Sequence, residues 1–127
     1  MTDRELLELA AKAAGIRLDK WADETEELSA CFSAYLPVAG RESEYPEYWV
    51  HDVWNPLTDD GDALRLAVKL RLSMVLDSSG FKGPTTWVRG GAGLRTEKTQ
   101  YHEGDPYAAT RRAIVNTAAE IGKGREE

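Results

Sequence analysis

Cysteine occurs once in the 127 residues, at Cys31, and histidine twice, at His51 and His102. A single thiol excludes an internal disulfide and any zinc cluster built on cysteines, and it reads as a small packed residue. The histidines stand in no paired metal-ligand spacing. No Gly-x-Ser-x-Gly elbow, Walker loop or dinucleotide fingerprint occurs, so a non-enzymatic chain without metal or cofactor is expected. Apolar runs stop after a few residues, far short of the roughly 20 that a bilayer span needs. The opening Met1-Thr2-Asp3-Arg4-Glu5 lacks the basic start and apolar core of a secretory signal, so a cytosolic chain is expected.

What is present suits a small globular domain. Hydrophobic residues make up 42% and charged residues 30%, and a chain of this length can bury roughly two-thirds of its unfolded surface. Residues 1–122 read as one domain, and 123–127 as a frayed tail. The net charge of -6 is unevenly spread. Asp23, Glu24, Glu26, Glu27, Glu42, Glu44, Glu47, Asp52, Asp59, Asp60 and Asp62 face one base, Arg41, whereas from Ala63 onward bases outnumber acids. The first part is either a solvated acidic surface or one that competes for a nucleic-acid-binding partner; the second can hold an anion.

Thr2 and Glu5 form a capping box, and Leu6, Leu9, Ala10, Ala13 and Ala14 keep helical spacing until Gly15 stops the helix. Residues 28–38 fit both a helix and a strand. The alternation of Ala30, Phe32, Ala34 and Leu36 with Cys31, Ser33 and Tyr35 runs on through Pro37 to Val38, which favours a strand. Gly40 to Pro46 reads as a charged loop, and Tyr48 to Trp54 as a strand. Asn55-Pro56 forces a turn, Thr58 or Asp59 caps the next helix, and the acidic residues there suit its dipole. Ala63, Leu64, Leu66, Ala67, Val68 and Leu70 nearly encircle that helix, so it is expected to be covered on more than one side, with Asp62, Arg65 and Lys69 as its polar edge. Leu72 to Asp77 and Thr85 to Arg89 predict an antiparallel hairpin, followed by a glycine-rich break and a polar stretch. Asp105-Pro106 opens a last helix with Tyr107, Ile114, Ala118 and Ile121 on one face and Gly122 as its end. The fold predicted is α+β, a small antiparallel sheet of about four strands with three helices mainly on one face.

Two clusters invite a chemical reading. Asp59, Asp60 and Asp62 resemble a cation site but sit where a helix start explains them, and the oxygen ligands of a calcium loop do not follow. His51 adjoins Asp52, yet neighbours on a strand point to opposite faces, which argues against their cooperation. More suggestive is Arg89-Gly90-Gly91-Ala92-Gly93-Leu94-Arg95, where glycines let backbone amides approach an anion between two arginines. With Trp87 on the same strand and Arg111 and Arg112 on the last helix, this predicts an aromatic, guanidinium-lined pocket closed by Trp54 and Tyr107. The competing reading has Trp87 in the core, Arg111 lying along its helix and Arg112 paired with an acid.

Three blocks carry a resemblance: Arg4-Glu5-Leu6-Leu7-Glu8-Leu9-Ala10-Ala11-Lys12-Ala13-Ala14-Gly15, the run from Trp54-Asn55-Pro56-Leu57-Thr58-Asp59-Asp60-Gly61-Asp62 through Ala63-Leu64-Arg65-Leu66-Ala67-Val68-Lys69-Leu70, and Ala108-Ala109-Thr110-Arg111-Arg112-Ala113-Ile114-Val115 with Ala118-Ala119-Glu120-Ile121-Gly122. Together they resemble the NinX-like family of small phage and prophage proteins. The resemblance implies a non-structural accessory protein acting in the cytoplasm of an infected bacterium, and it brings no catalytic residues. The expected role is counter-defence, with the pocket of Trp54, Trp87, Arg89, Arg95, Tyr107, Arg111 and Arg112 sequestering a nucleotide-derived immune signal. The alternative is an inhibitor whose acidic region blocks a host nuclease or defence protein; a hydrolase using His51 or His102 is the third reading. Membrane and direct nucleic-acid binding are not expected, and homo-oligomers sharing the pocket are allowed.

Overall fold

The structure, a computed structural model, describes residues 2–23, 25–26, 30–36, 50–77, 85–90, 97–101 and 105–124. Along these the order is α1 (Asp3–Ala14), β1 (Arg17–Ala22), β2 (Cys31–Leu36), β3 (Val50–Trp54), α2 (Asp60–Lys69), β4 (Ser73–Asp77), β5 (Thr85–Arg89), β6 (Glu97–Tyr101) and α3 (Pro106–Gly124). A helix followed by a three-stranded meander thus occurs twice, and a third helix closes the series.

The α+β class stands, with more strands than expected. Two separate antiparallel sheets, β1-β2-β3 and β4-β5-β6, replace the single sheet of about four strands. The added strands are β1 and β6. In β1 a register shift between Leu18 and Trp21 puts its two partly buried apolar residues three apart, which breaks the period of two that marks a strand. β6, Glu-Lys-Thr-Gln-Tyr, is a polar edge strand. Residues 28–38 resolve as a strand over Cys31–Leu36, with Phe32 and Ala34 buried, and the hairpin of β4 and β5 is antiparallel. The expected loop from Gly40 to Pro46 lies outside the described residues.

Local chemistry sets the helix ends. The Thr2 hydroxyl accepts the Glu5 N–H at 3.2 Å and donates to the Glu5 carboxylate at 3.1 Å. At the other end Gly15 is left-handed, φ 71°, and the N–H of Ile16 reaches the Ala11 carbonyl at 2.9 Å. Asp59, rather than Thr58, caps α2 by accepting the Asp62 N–H at 2.8 Å. The Asp105 side chain accepts the Ala108 N–H at 3.0 Å. Pro106 then occupies the first helical position of α3, where a missing N–H costs nothing.

One cluster of buried residues joins both sheets and all three helices: Leu7 and Ala10 of α1, Phe32 and Ala34 of β2, Trp54, Leu66 of α2, Val88 of β5, and Ile114, Val115 and Ala118 of α3. Full burial of an aliphatic side chain such as Leu7 or Leu66 contributes roughly 1.5–3 kcal/mol. The face of α1 turned inward carries Leu7 and Ala11 beside Ala10, Ala13 and Ala14, while Leu6 and Leu9 are only partly covered. Small residues there let α1 lie close against α3.

Three expectations about the helices are corrected. Gly122 does not end α3, which runs to Gly124; it is buried against α1. Tyr107 begins the face of Ile114, Ala118 and Ile121 but is not covered with them, being 69% exposed at the first turn of α3. The third concerns α2, which buries Asp62, Ala63, Leu66 and Ala67 but leaves Leu64 and Val68 in solvent, so it is covered on one side only. Asp62 moves inward because its carboxylate is fully used: Oδ2 accepts the buried Asn55 N–H at 3.0 Å and Oδ1 takes Arg65 at 2.7 Å. Asn55 in turn donates from Nδ2 to the Ala30 carbonyl at 2.8 Å, tying the turn after β3 to the residue before β2.

Candidate functional site

Six of the seven residues of the expected pocket are described, and those six do not converge. Trp54 is core, 2% exposed, opposite Phe32 in the sheet ladder. Arg111 ties α3 to α2 and to the turn before it: its Nε donates to the Leu57 carbonyl at 2.9 Å and its Nη1 to Asp60 at 2.6 Å, and its side chain is only 16% exposed. Arg112 reaches the Asp3 carboxylate at 3.3 Å, joining α3 to the start of α1. Trp87 and Arg89 do share a face, two residues apart on β5, but it is the face turned away from α3. The opposite face is fixed by Thr86, whose hydroxyl meets that of Thr110 at 2.9 Å, and by Val88, whose carbonyl accepts from Thr117 at 3.3 Å. Tyr107 stands exposed at the first turn of α3. Arg95, Gly91, Gly93 and His102 lie outside the described residues.

Among the described residues, most of the acidic side chains that were candidates for a metal or for nucleic-acid mimicry are engaged within the chain. Asp59 caps α2, Asp60 holds Arg111 and Asp62 is buried. Asp23 accepts the Trp21 indole N–H at 3.0 Å, and the Asp52 carboxylate accepts the N–H of Val53 at 2.7 Å.

A different constellation is assembled on the outer face of the first sheet. The register aligns Arg17 of β1, Tyr35 of β2 and His51 of β3 in one row across the strands. The Arg17 guanidinium lies 5.0 Å above the Tyr35 ring centroid, and the imidazole of His51 lies 4.8 Å from it on the other side, tilted by 34°. His51 Nε2 and Asp19 Oδ2 are 3.0 Å apart, reaching across β2 from strand to strand. Asp19 can do so because it sits in the irregular stretch of β1. There the Lys20 N–H donates to the Ser33 hydroxyl at 3.2 Å, and that hydroxyl donates to the Lys20 carbonyl at 3.4 Å, which pins the stretch against β2. Arg17, Asp19 and His51 are exposed and Tyr35 is half-buried. Asp52, by contrast, pairs with Ala34 on the opposite face, as the alternation of a strand requires.

The polar contacts of this row are few among the described residues. Among the described residues the only side-chain hydrogen bond of His51 is to Asp19, and the Ser33 hydroxyl is engaged with the backbone of Lys20. What remains is an aromatic surface with a guanidinium at one end and an imidazole at the other. His51 was legible as a candidate, but Arg17 and Asp19 were not, because β1 shows no strand pattern. Tyr35 carried one signal, its place opposite Phe32 and Ala34 in the alternation. No family model, curated protein or solved structure matches this chain.

Proposed function

We propose that the chain is a non-enzymatic binding protein for a nucleotide-derived anion, and that its platform is the row of Arg17, Tyr35 and His51. The observation that carries this reading is the stack of guanidinium, phenol and imidazole at 5.0 and 4.8 Å on an open sheet face. A base stacks on an open planar face, here that of the exposed Arg17 guanidinium or the exposed His51 imidazole at the ends of the row, with about 1–3 kcal/mol per base at such platforms, and a guanidinium fork matches phosphate oxygens. Asp19 restrains the imidazole and sets its orientation. The biological setting proposed is the cytoplasm of a phage-infected bacterium, where retention of an immune signal of this class counters host defence. The three blocks resembling NinX-like proteins support that setting.

Isothermal titration with a panel of cyclic and linear nucleotides tests the reading. At least one member is expected to bind tighter than roughly millimolar, about -4 kcal/mol, and to lose about tenfold on Tyr35→Ala or Arg17→Gln. A panel in which nothing binds overturns it. Binding that survives Tyr35→Ala but is abolished by Trp87→Ala places the ligand on the second sheet instead.

A further inference from the structure

The exposed side of α2 is apolar where a solvent-facing helix is normally polar. Leu64 and Val68, four residues apart and therefore on one face, are 56% and 68% exposed. The chain then enters β4, where Met74, Val75 and Leu76 are exposed in succession. Five of the eight large hydrophobic side chains exposed among the described residues thus fall between Leu64 and Leu76. Isolated exposed apolar residues need no explanation, but a concentration of them marks a contact surface.

The charges around this stripe choose the occupant. Helical spacing aligns Asp60, Leu64 and Val68, and Arg71 continues the same line just beyond the helix end. The N-terminal end is acidic: the side chains of Asp59 and Asp60 keep 59% and 70% of their surface open, even though Asp60 also holds Arg111. At the C-terminal end the exposed Lys69 and Arg71 make it basic. A line that reads acid, apolar, apolar, base meets its own copy with opposite charges when turned end for end about a twofold axis, and the helix dipoles are then opposed as well. Arg71 also adopts φ 53°, the only non-glycine positive φ among the described residues. Its N–H bonds the Val68 carbonyl while that of Leu72 bonds Ala67, the helix ending in which glycine is unstrained, so the base at this position stands against backbone preference.

We infer that this face receives a second copy of the chain. α2 of one protomer packs antiparallel on α2 of its partner, with Leu64 of each over Val68 of the other. The acidic end of each helix faces the basic end of the other.

Sedimentation velocity of the full chain over a concentration series reads the association directly. A monomer–dimer equilibrium is expected that weakens with salt, and Leu64→Glu or Val68→Glu is expected to raise the dissociation constant by at least about tenfold. Both side chains are in solvent, so circular dichroism of these variants is expected to match the parent. For orientation, Leu64→Cys and Val68→Cys are made separately with Cys31→Ala, mixed and oxidised; the crossed disulfide is expected to exceed either self-pair. A chain that stays monomeric at all concentrations overturns the inference. So does a dimer broken by Val75→Lys but untouched by either glutamate, because its seam is then β4.

Discussion

The carbonyl of Leu9 occupies the space that any side chain at position 122 would need. A Cβ built on Gly122 stands 2.8 Å from the Leu9 carbonyl carbon and closer still to its oxygen, and both atoms belong to helix backbone that cannot swing aside. The crossing of α1 and α3 therefore depends on one missing methyl group. Gly122→Ala is expected to destabilise the fold by at least about 2 kcal/mol, through strain of the kind that overpacked cores show. Gly124, two residues on in the same helix, has open space around its Cβ position. There the alanine is expected to be neutral or to stabilise by up to about 1 kcal/mol, since only helix propensity changes. Urea denaturation of both variants separates the cases, and equal effects would sink the assignment of Gly122 to the helix contact.

Gly15 and Arg71 fill equivalent places at the ends of α1 and α2, at φ 71° and 53°. A side chain in that region costs roughly 1–2 kcal/mol relative to glycine. Arg71→Gly is thus expected to stabilise the monomer by about 1 kcal/mol, read at dilution where association contributes nothing. In the concentrated protein the same change is expected to weaken self-association, because it removes a base from the end of the α2 stripe. Stability and association moving in the same direction would contradict the role given to Arg71.

Arg111 and Arg112 are neighbours with unequal roles. Arg111→Met removes two hydrogen bonds and leaves the Leu57 carbonyl without its guanidinium partner, which is expected to cost about 1–3 kcal/mol. Arg112→Met breaks a pair with Asp3 that is substantially open to solvent, and such pairs are worth about 0–1 kcal/mol. Chemical denaturation of the two single variants is expected to rank them in that order. The reverse order, or a loss of nucleotide binding with no loss of stability at Arg111, would restore these residues to a ligand site.

Which features were legible in the sequence follows from the range of the interaction that decides each. Thr2, Gly15, Asp105 and Pro106 act within a few residues, so the ends they set can be read from a short window. β5 has the bounds that its β-branched and aromatic residues predict. β1 escapes because its irregular stretch spaces Leu18 and Trp21 as no strand template does, and with β1 hidden the row of Arg17, Tyr35 and His51 could not be anticipated. Gly122 reads locally as a helix stop; its use as a contact depends on Leu9, more than a hundred residues away. For α2 the all-round apolar pattern is real, but a pattern alone cannot distinguish a face covered by the same chain from one left open, and Leu64 and Val68 are open. Trp87 and Arg89 share a face, as their spacing implies, whereas only the packing of α3 reveals that Arg111 and Arg112 lie on the other side of that sheet.

The two tryptophans of the expected pocket give the sharpest stability contrast. Trp54 ends β3 inside the core cluster, whereas Trp87 is 44% exposed on the outer face of the second sheet. Truncating a buried aromatic costs about 3–5 kcal/mol, because the transfer term and the cavity add. Trp54→Ala is expected to fall in that range, enough to leave a domain of ordinary stability marginal at 37 °C. Trp87→Ala, which removes a side chain with solvent already on one side, is expected to be milder by at least about 2 kcal/mol. Thermal denaturation gives the order, and indole fluorescence gives an independent check: loss of Trp54 is expected to remove a blue-shifted emission component, and loss of Trp87 a quencher-accessible one. If acrylamide quenching is unchanged in Trp87→Ala, that indole is already shielded by a partner or ligand, and the outer face of β5 is then an occupied surface.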